Sequence, residues 1–371
     1  METLYLGIVI FLFMLAVFDL LVGVSNDAVN FMNSAVGAKV AKFRTIVIIA
    51  ALGVFVGAVS SNGMMDIARH GIFHPVNFSF YDLMCIFLAV MVTDVVLLDI
   101  FNTLGLPTST TVSMVFELLG GTFVLAILKI IGDETGMLSL GDMMNTEKAL
   151  SVIMAIFLSV AIAFVAGTVV QYISRIIFTF NYKKHLSWTI GIFGGIAVTA
   201  LGYFIVIQGL ASASFMTKES MQWVLDNTPM LVGACLVVST VLMQILHWCR
   251  VNVFKIIVLL GTFSLALAFA GNDLVNFIGV PIAGFDAYSV ARAEGSTDIM
   301  MSALNENIPA NMLFMLSAGV IMILTLWTSR KAMHVTETEI SLSSQANEDE
   351  SRYGSNLFSR SIVRAALNVS G

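Results

Sequence analysis

Charge is scarce in this chain. Of its 371 residues, 11% are Asp, Glu, Lys or Arg, and 58% are hydrophobic. Soluble domains carry about 25% charged residues, so the composition excludes a soluble core and requires a membrane protein. No basic cluster is longer than Lys183–Lys184, which leaves nucleic acid without a footing. Cysteine is sparse too. Cys85, Cys235 and Cys249 stand apart, form no CxxC pair or disulfide framework, and read as small apolar packing residues. No HExxH or GxSxG string occurs, and no cluster of His and Cys ligands, so the usual marks of a membrane phosphatase or lipid transferase are missing. His70 and His74 are spaced i,i+4, but a loop with Gly and Pro and no third ligand does not make a metal site. Nor is there a basic region ahead of the first apolar run, where Glu2 is the only charge. That run is a retained span and not a signal peptide.

Long apolar runs dominate what is present. A helix needs roughly 20 apolar residues to cross a bilayer. Nine spans meet that length: 4–36 (interrupted), 45–62, 82–101, 109–130, 150–174, 187–210, 230–247, 252–284 (interrupted) and 310–328. A polar tail from Ser329 to Gly371 is expected in the cytoplasm. Its segment "ETEISLSSQANEDESRYGS" has the composition of a mobile chain.

Positive charge orients the spans. With the N-terminus outside, the inside connections hold Lys39, Lys42, Arg44, Arg175, Lys183, Lys184, Arg250, Lys255, Arg330 and Lys331. The outside ones hold Arg69, Lys129, Lys148, Lys218 and Arg292. That is ten cations against five, which sets the N-terminus outside; the expected location is the cell (inner or plasma) membrane.

Two strings stand out in the interrupted spans. "SNDAVNF" (Ser25–Phe31) and "GNDLVNF" (Gly271–Phe277) share Asn-Asp-x-Val-Asn-Phe. The first span runs inward and the eighth outward, so the strings meet head to head, as in an inverted repeat that builds one site near the midplane. Each run is too long for one straight crossing, and Gly23–Asp27 and Gly271–Asp273 are poor helix interior. Two broken helices are therefore expected, whose exposed amides, with the Asn side chains, make an anion seat. A third element, "GLPTSTTVS" (Gly105–Ser113), sets Ser109, Thr110 and Thr111 at a helix start. Such hydroxyls cap backbone amides or bind oxyanion oxygens.

Carboxylates beside an anion seat need a compensating charge. Asp27 and Asp273 either hold a cation such as sodium or accept a hydrogen bond from a protonated oxyanion such as hydrogen phosphate. Glu117, two turns beyond Ser109 on the same face, is a candidate for a cation or proton. Asp19 lies where it can line the same cavity or bond a neighbouring backbone. Asp94 and Asp99 fall near a span's end, in reach of the interface.

Together the strings resemble the inorganic phosphate transporter family of sodium- or proton-coupled symporters. Its mark is a GANDVANA-like string occurring twice, each copy followed by P-x-S-T-T. The resemblance implies an all-α polytopic membrane protein, an inverted-repeat secondary transporter with two broken helices, carrying phosphate by alternating access. It implies substrate binding by Asn26, Asn30, Ser109, Thr110, Thr111, Asn272 and Asn276, and Na+ or H+ coupling at Asp27 and Asp273, with sodium at either; Glu117 joins the coupling candidates on its place in the span alone. No other cofactor is implied. The partners are phosphate, the lipid bilayer and, as an allowed state, a second copy in a homodimer. Ser25 replaces the family's Ala, Ala28–Val29 reverses its order, and Val112 stands where many relatives have His. No second P-x-S-T-T occurs, so the second repeat reads as incomplete, with "NLFSRSIVRAALNVS" as an amphipathic helix leading onward. The expected division is 1–186 (first repeat and connection), 187–328 (remaining spans with the second string) and 329–371 (tail). The alternatives are transport of another oxyanion such as sulfate, or a transporter-derived scaffold or sensor.

Overall fold

A computed structural model describes residues 2–60, 72–132, 138–178, 186–209, 216–296, 299–302 and 311–343. Among them there are helices and two isolated β-bridges, and no strand. The long helices are α1 (Glu2–Gly37), α2 (Phe43–Ser60), α3 (Phe80–Leu104), α4 (Thr110–Gly132), α6 (Thr146–Phe178), α7 (Leu186–Phe204) and α9 (Thr228–Trp248). They are followed by α10 (Val253–Asn272), α11 (Leu274–Glu294), α12 (Met312–Thr328) and α13 (Arg330–Ser343). The short α5 (Leu140–Met143) and α8 (Lys218–Asp226) lie in connections. Eight described helices are apolar and long enough to cross a membrane, with α10 and α11 counted as one, and nine if the bent α12–α13 pair is a span. All nine expected spans fall on these helices.

The core forms where α1 is wrapped by α2, α3, α10, α11, α12 and α13. Small residues set the closest approaches. A Cβ at Gly53 would lie 2.5 Å from the Phe263 carbonyl oxygen, and one at Gly57 would lie 2.2 Å from that of Leu267, so α2 and α10 pack backbone to backbone. The glycine pair Gly194–Gly195 opens α7 to the Met243 and Thr240 side chains of α9.

Three expectations change. First, α1 is not broken. Its helix runs from Glu2 to Gly37 through Gly23–Asp27. A helical glycine costs only about 1 kcal/mol relative to alanine, and here it is required. A Cβ at Gly23 would sit 2.1 Å from the Phe277 ring, so that aromatic side chain occupies the glycine's open face. The polar side chains that suggested a break find partners on neighbouring helices instead. Second, the interruption between α10 and α11 is one residue wide. Asp273 N donates to Phe269 O at 2.7 Å, and Asn276 N donates to Asp273 O at 3.0 Å, so the chain tightens for one turn and continues. The combined 42-residue run is about 63 Å long, roughly twice the ~30 Å apolar layer, so it extends past that layer or crosses it obliquely.

Third, the polar segment after Ser329 begins with a docked helix. α12 and α13 meet at a 67° bend. Ser329 Oγ accepts the Ala332 amide at 3.2 Å and is 2.7 Å from Ser25 Oγ. Ala332, Val335, Thr336 and Thr338 are buried against α1 and α3. Thr336 and Thr338 close their hydroxyls on Ala332 O and His334 O, at 2.8 and 3.0 Å, so they enter the core without an unmet donor. Residues 344–371, including "NLFSRSIVRAALNVS", lie outside the described residues, as does His70.

Candidate functional site

α1 brings Asn26 and Asp27, the α3–α4 turn brings Pro107 to Ser109, α4 brings Thr110 and Thr111, and the α10–α11 joint brings Asp273 and Asn276. The turn is shaped by Gly105, which caps α3 in the left-handed region at φ 69°. Only glycine adopts that conformation without strain, and a Cβ there would also strike the His334 ring of α13.

Asn26 holds this turn in place. Its amide donates to Asn102 Oδ1 at 2.8 Å and to Leu106 O at 3.0 Å, and its Oδ1 accepts the Thr108 amide at 2.7 Å. Asn102 in turn donates to Val22 O at 2.6 Å. Both side chains are buried. Every hydrogen of the Asn26 amide is thus spent on the fold, and this residue is a latch between α1 and the turn, with no donor left for a ligand. Asn102 carries no sequence signal beyond being an amide in a span.

The hydroxyls divide their work. Ser109 Oγ accepts the Val112 amide at 3.3 Å, capping the first turn of α4. Thr110 Oγ1 donates to Asp27 Oδ2 at 2.8 Å, and Thr111 Oγ1 donates to Asp273 Oδ1 at 3.3 Å. Asn276 Nδ2 reaches Thr111 Oγ1 at 2.7 Å and Asp273 Oδ1 at 3.3 Å. Asn30 Nδ2 reaches Asp27 Oδ1 at 3.4 Å. Two consecutive threonines therefore join the acidic residues of both Asn-Asp strings. Asp27, Thr110 and Asn276 are buried, Thr111 and Asp273 are half-buried, and Asn30, Ser109 and Asn272 are exposed, so the cluster is open on one side. Hydroxyl and amide donors beside two carboxylates can hold an oxyanion together with a cation or an added proton.

A second group lies deeper along the same helices. Ser113 Oγ is 2.6 Å from Asp94 Oδ1 and 2.9 Å from Glu117 Oε1. Asp19 is wholly buried and its carboxyl group meets that of Asp94, with no hydroxyl, amide or cation on either oxygen among the described residues. Asp94, expected near the interface from its place in the span, is 1% exposed and lies inside the helix bundle. Asp99 is half exposed and pairs with Lys331 of α13 at 2.5 Å. Among the described residues no group of three His, Cys, Asp or Glu side chains is arranged to hold a metal ion.

Comparison with known proteins agrees with this architecture. The model of the phosphate transporter family matches residues 23–343. No curated protein matches. A solved structure described as "The sodium-dependent phosphate transporter" shares the fold at a TM-score of 0.66 and 19% identity, over 92% of this chain and 80% of that one.

Proposed function

The chain belongs to the phosphate transporter family, and on that premise we propose that it carries inorganic phosphate across the membrane by cation-coupled alternating access. One observation carries the reading. Both Asn-Asp strings, from opposite ends of the chain, converge through Asp27 and Asp273 on the adjacent hydroxyls of Thr110 and Thr111. Phosphate oxygens replace the carboxylates as acceptors for those hydroxyls and for the Asn30 and Asn276 amides, with Ser109 and Asn272 at the open edge. Asp27 and Asp273 then meet the coupling cation, sodium or a proton, or accept the proton that hydrogen phosphate carries. Asn26 positions the turn.

Reciprocal packing supports an inverted repeat. Phe277 of the second string covers Gly23, and Phe31 of the first lies 5.3 Å, centroid to centroid, from Phe269, which stands where Gly23 does relative to its string. Two copies related by a two-fold axis make such paired contacts. The boundaries 1–186 and 187–328 follow that division. The cation bias of the loops supports an external N-terminus, with the region after Arg330 in the cytoplasm. The neighbour's printed dependence on sodium favours a cation-coupled cycle.

Uptake of labelled phosphate into vesicles that contain this chain tests the reading. Uptake that requires an imposed sodium or proton gradient, and that excess sulfate does not compete away, is the expected result. Equal competition by sulfate assigns the site to oxyanions generally, and absence of uptake leaves the scaffold reading.

A further inference from the structure

Two helices outside the candidate site, α7 and α9, hold a cavity between them. Glycines bring the pair together at one end, where a Cβ at Gly194 or Gly195 would overlap the Met243 or Thr240 side chain. Towards the other end the helices part. A Cβ at Gly202 would find Cys235 Sγ of α9 at 3.9 Å, and α7 then widens into a π-helical turn, Ile205–Gly209. The short α8 lies across the splayed ends and gives Trp223 and Val224 to the lining. The cavity measures about 400 Å³, within the ~300–1,000 Å³ of small-molecule sites.

Its walls are apolar, with Val206, Ile207, Leu231 and Val232 beside Trp223 and Val224. One atom breaks the pattern. Thr199 is 6% exposed, and its hydroxyl, on the cavity lining, has no hydrogen-bond partner among the described residues. Thr228, on the same lining, spends its own hydroxyl on Val224 O at 2.8 Å. A buried hydroxyl without a partner is costly, and each one needs an account. Thr199 precedes Ile207 by eight residues, so it lies about 12 Å further into the span, and Cys235 lies about 10 Å beyond Thr228. The cavity is thus a slot with Trp223 at its mouth, where an indole suits the membrane surface, and a lone hydroxyl at its floor.

The lining selects the occupant. Apolar walls take an apolar body, and one hydroxyl, both donor and acceptor, meets one polar group. Water needs two to four partners and finds one on the floor. A charged ligand meets no opposite charge, because the lining holds no Lys, Arg, His, Asp or Glu. The acyl chain of a lipid would fill the slot but leave Thr199 unmet, since its ester oxygens stay with the headgroup at the surface. We propose that the α7–α9 cavity binds a small neutral amphiphile, an alcohol with an apolar chain, whose hydroxyl pairs with that of Thr199. The binding is non-covalent and independent of the phosphate reading. The slot is separate from the anion seat, although α7 and its π-helical turn also pack on α10, the helix that leads to Asp273.

The test uses the full chain in lipid nanodiscs and octanol that carries a diazirine on its chain. Irradiation and mass spectrometry of the peptides should place label within residues 199–207 and 223–235, and excess octanol should remove it. Label on α6, exposed along most of its length, should resist the same excess and serves as the reference. Octane at equal concentration in the membrane should displace the label more weakly than octanol. Thr199→Val keeps the side-chain shape and removes the hydroxyl. It should lower the affinity for octanol roughly two- to tenfold and erase the advantage over octane. Gly202→Leu fills the slot and should abolish the displaceable label; if that variant does not fold, Thr199→Val decides. Label on these segments that excess octanol leaves in place, or displaceable label that survives in folded Gly202→Leu, overturns the site. Equal displacement by octane in the wild type, or unchanged octanol affinity in Thr199→Val, overturns the hydroxyl pairing and gives the cavity to lipid chains.

Discussion

Asn26 offers a direct way to separate a structural role from a binding one. Asn26→Ala removes two donors and one acceptor from a buried position, and leaves Asn102 Oδ1, Leu106 O and the Thr108 amide without their partners. A buried polar group deprived of its partner costs about 1–3 kcal/mol, so the three together predict a loss of roughly 3–6 kcal/mol, allowing for water entering the gap. At about 2 °C per kcal/mol, the lower end for a long chain, the unfolding midpoint in nanodiscs should fall by roughly 6–12 °C. Asn102→Ala acts on the same latch from the other side, so the double variant should lose much less than the sum of the two singles. Phosphate affinity of the protein that remains folded should change far less than stability. An Asn26→Ala protein that melts like the wild type and has lost phosphate binding would refute the latch and make Asn26 a ligand.

Gly23→Ala puts a methyl group into the Phe277 ring, an overpacking that costs about 1–3 kcal/mol; Phe277→Leu should restore much of the loss, as measured by thermal unfolding. Thr110→Val removes the hydroxyl that meets Asp27, and phosphate affinity should fall roughly two- to tenfold in a folded protein. Unchanged affinity there assigns the hydroxyl to packing. Asp142, in the connection before α6, has its carboxyl held below the usual range by the Ser139 hydroxyl and amide, with a smaller effect from His74. A lowered folded value means that the turn is stabilised above the unfolded carboxyl range near 3.9 and loosens as pH falls through the lower folded value. Protection of the Ser139 amide, its exchange rate relative to the intrinsic rate at the same pH, should fall in acid in the wild type and stay level in Asp142→Asn. For orientation, cysteine labelling should find a residue introduced beside Arg175 accessible from the cytoplasm only; access from outside contradicts the external N-terminus.

Much of this architecture could be read from the chain because hydrophobic length alone specifies spans. The recurrence of Asn-Asp-x-Val-Asn-Phe was legible for the same reason: polar residues in an apolar run are expensive, so a repeated one has a use. The broken first helix was misjudged because glycine and asparagine propensities are weak priors that tertiary partners override. Gly23 answers to the Phe277 ring and Asn26 to the turn, and neither partner is visible from its own segment. α13 was mistaken for tail because Thr336 and Thr338 count as polar in composition, although their hydroxyls are satisfied by their own helix. Asp94 and Ser113 were missed as a pair because only the packing of α3 against α4 joins them.

The central claim is that the carboxylates of the two strings share one anion-and-cation seat. Phosphate and sulfate binding, each with and without sodium, measured on wild type, Asp27→Asn and Asp273→Asn in folded protein, tests it most directly. Asn keeps the size and removes the charge. If the carboxylates hold sodium, the substitutions should abolish the sodium dependence of phosphate binding. If they accept the ligand's proton, the substitutions should relax discrimination against sulfate, because a like-charged contact that can cost several kcal/mol is gone. Wild-type cation dependence and anion preference in both variants would contradict the shared seat and leave the two strings as helix packing alone.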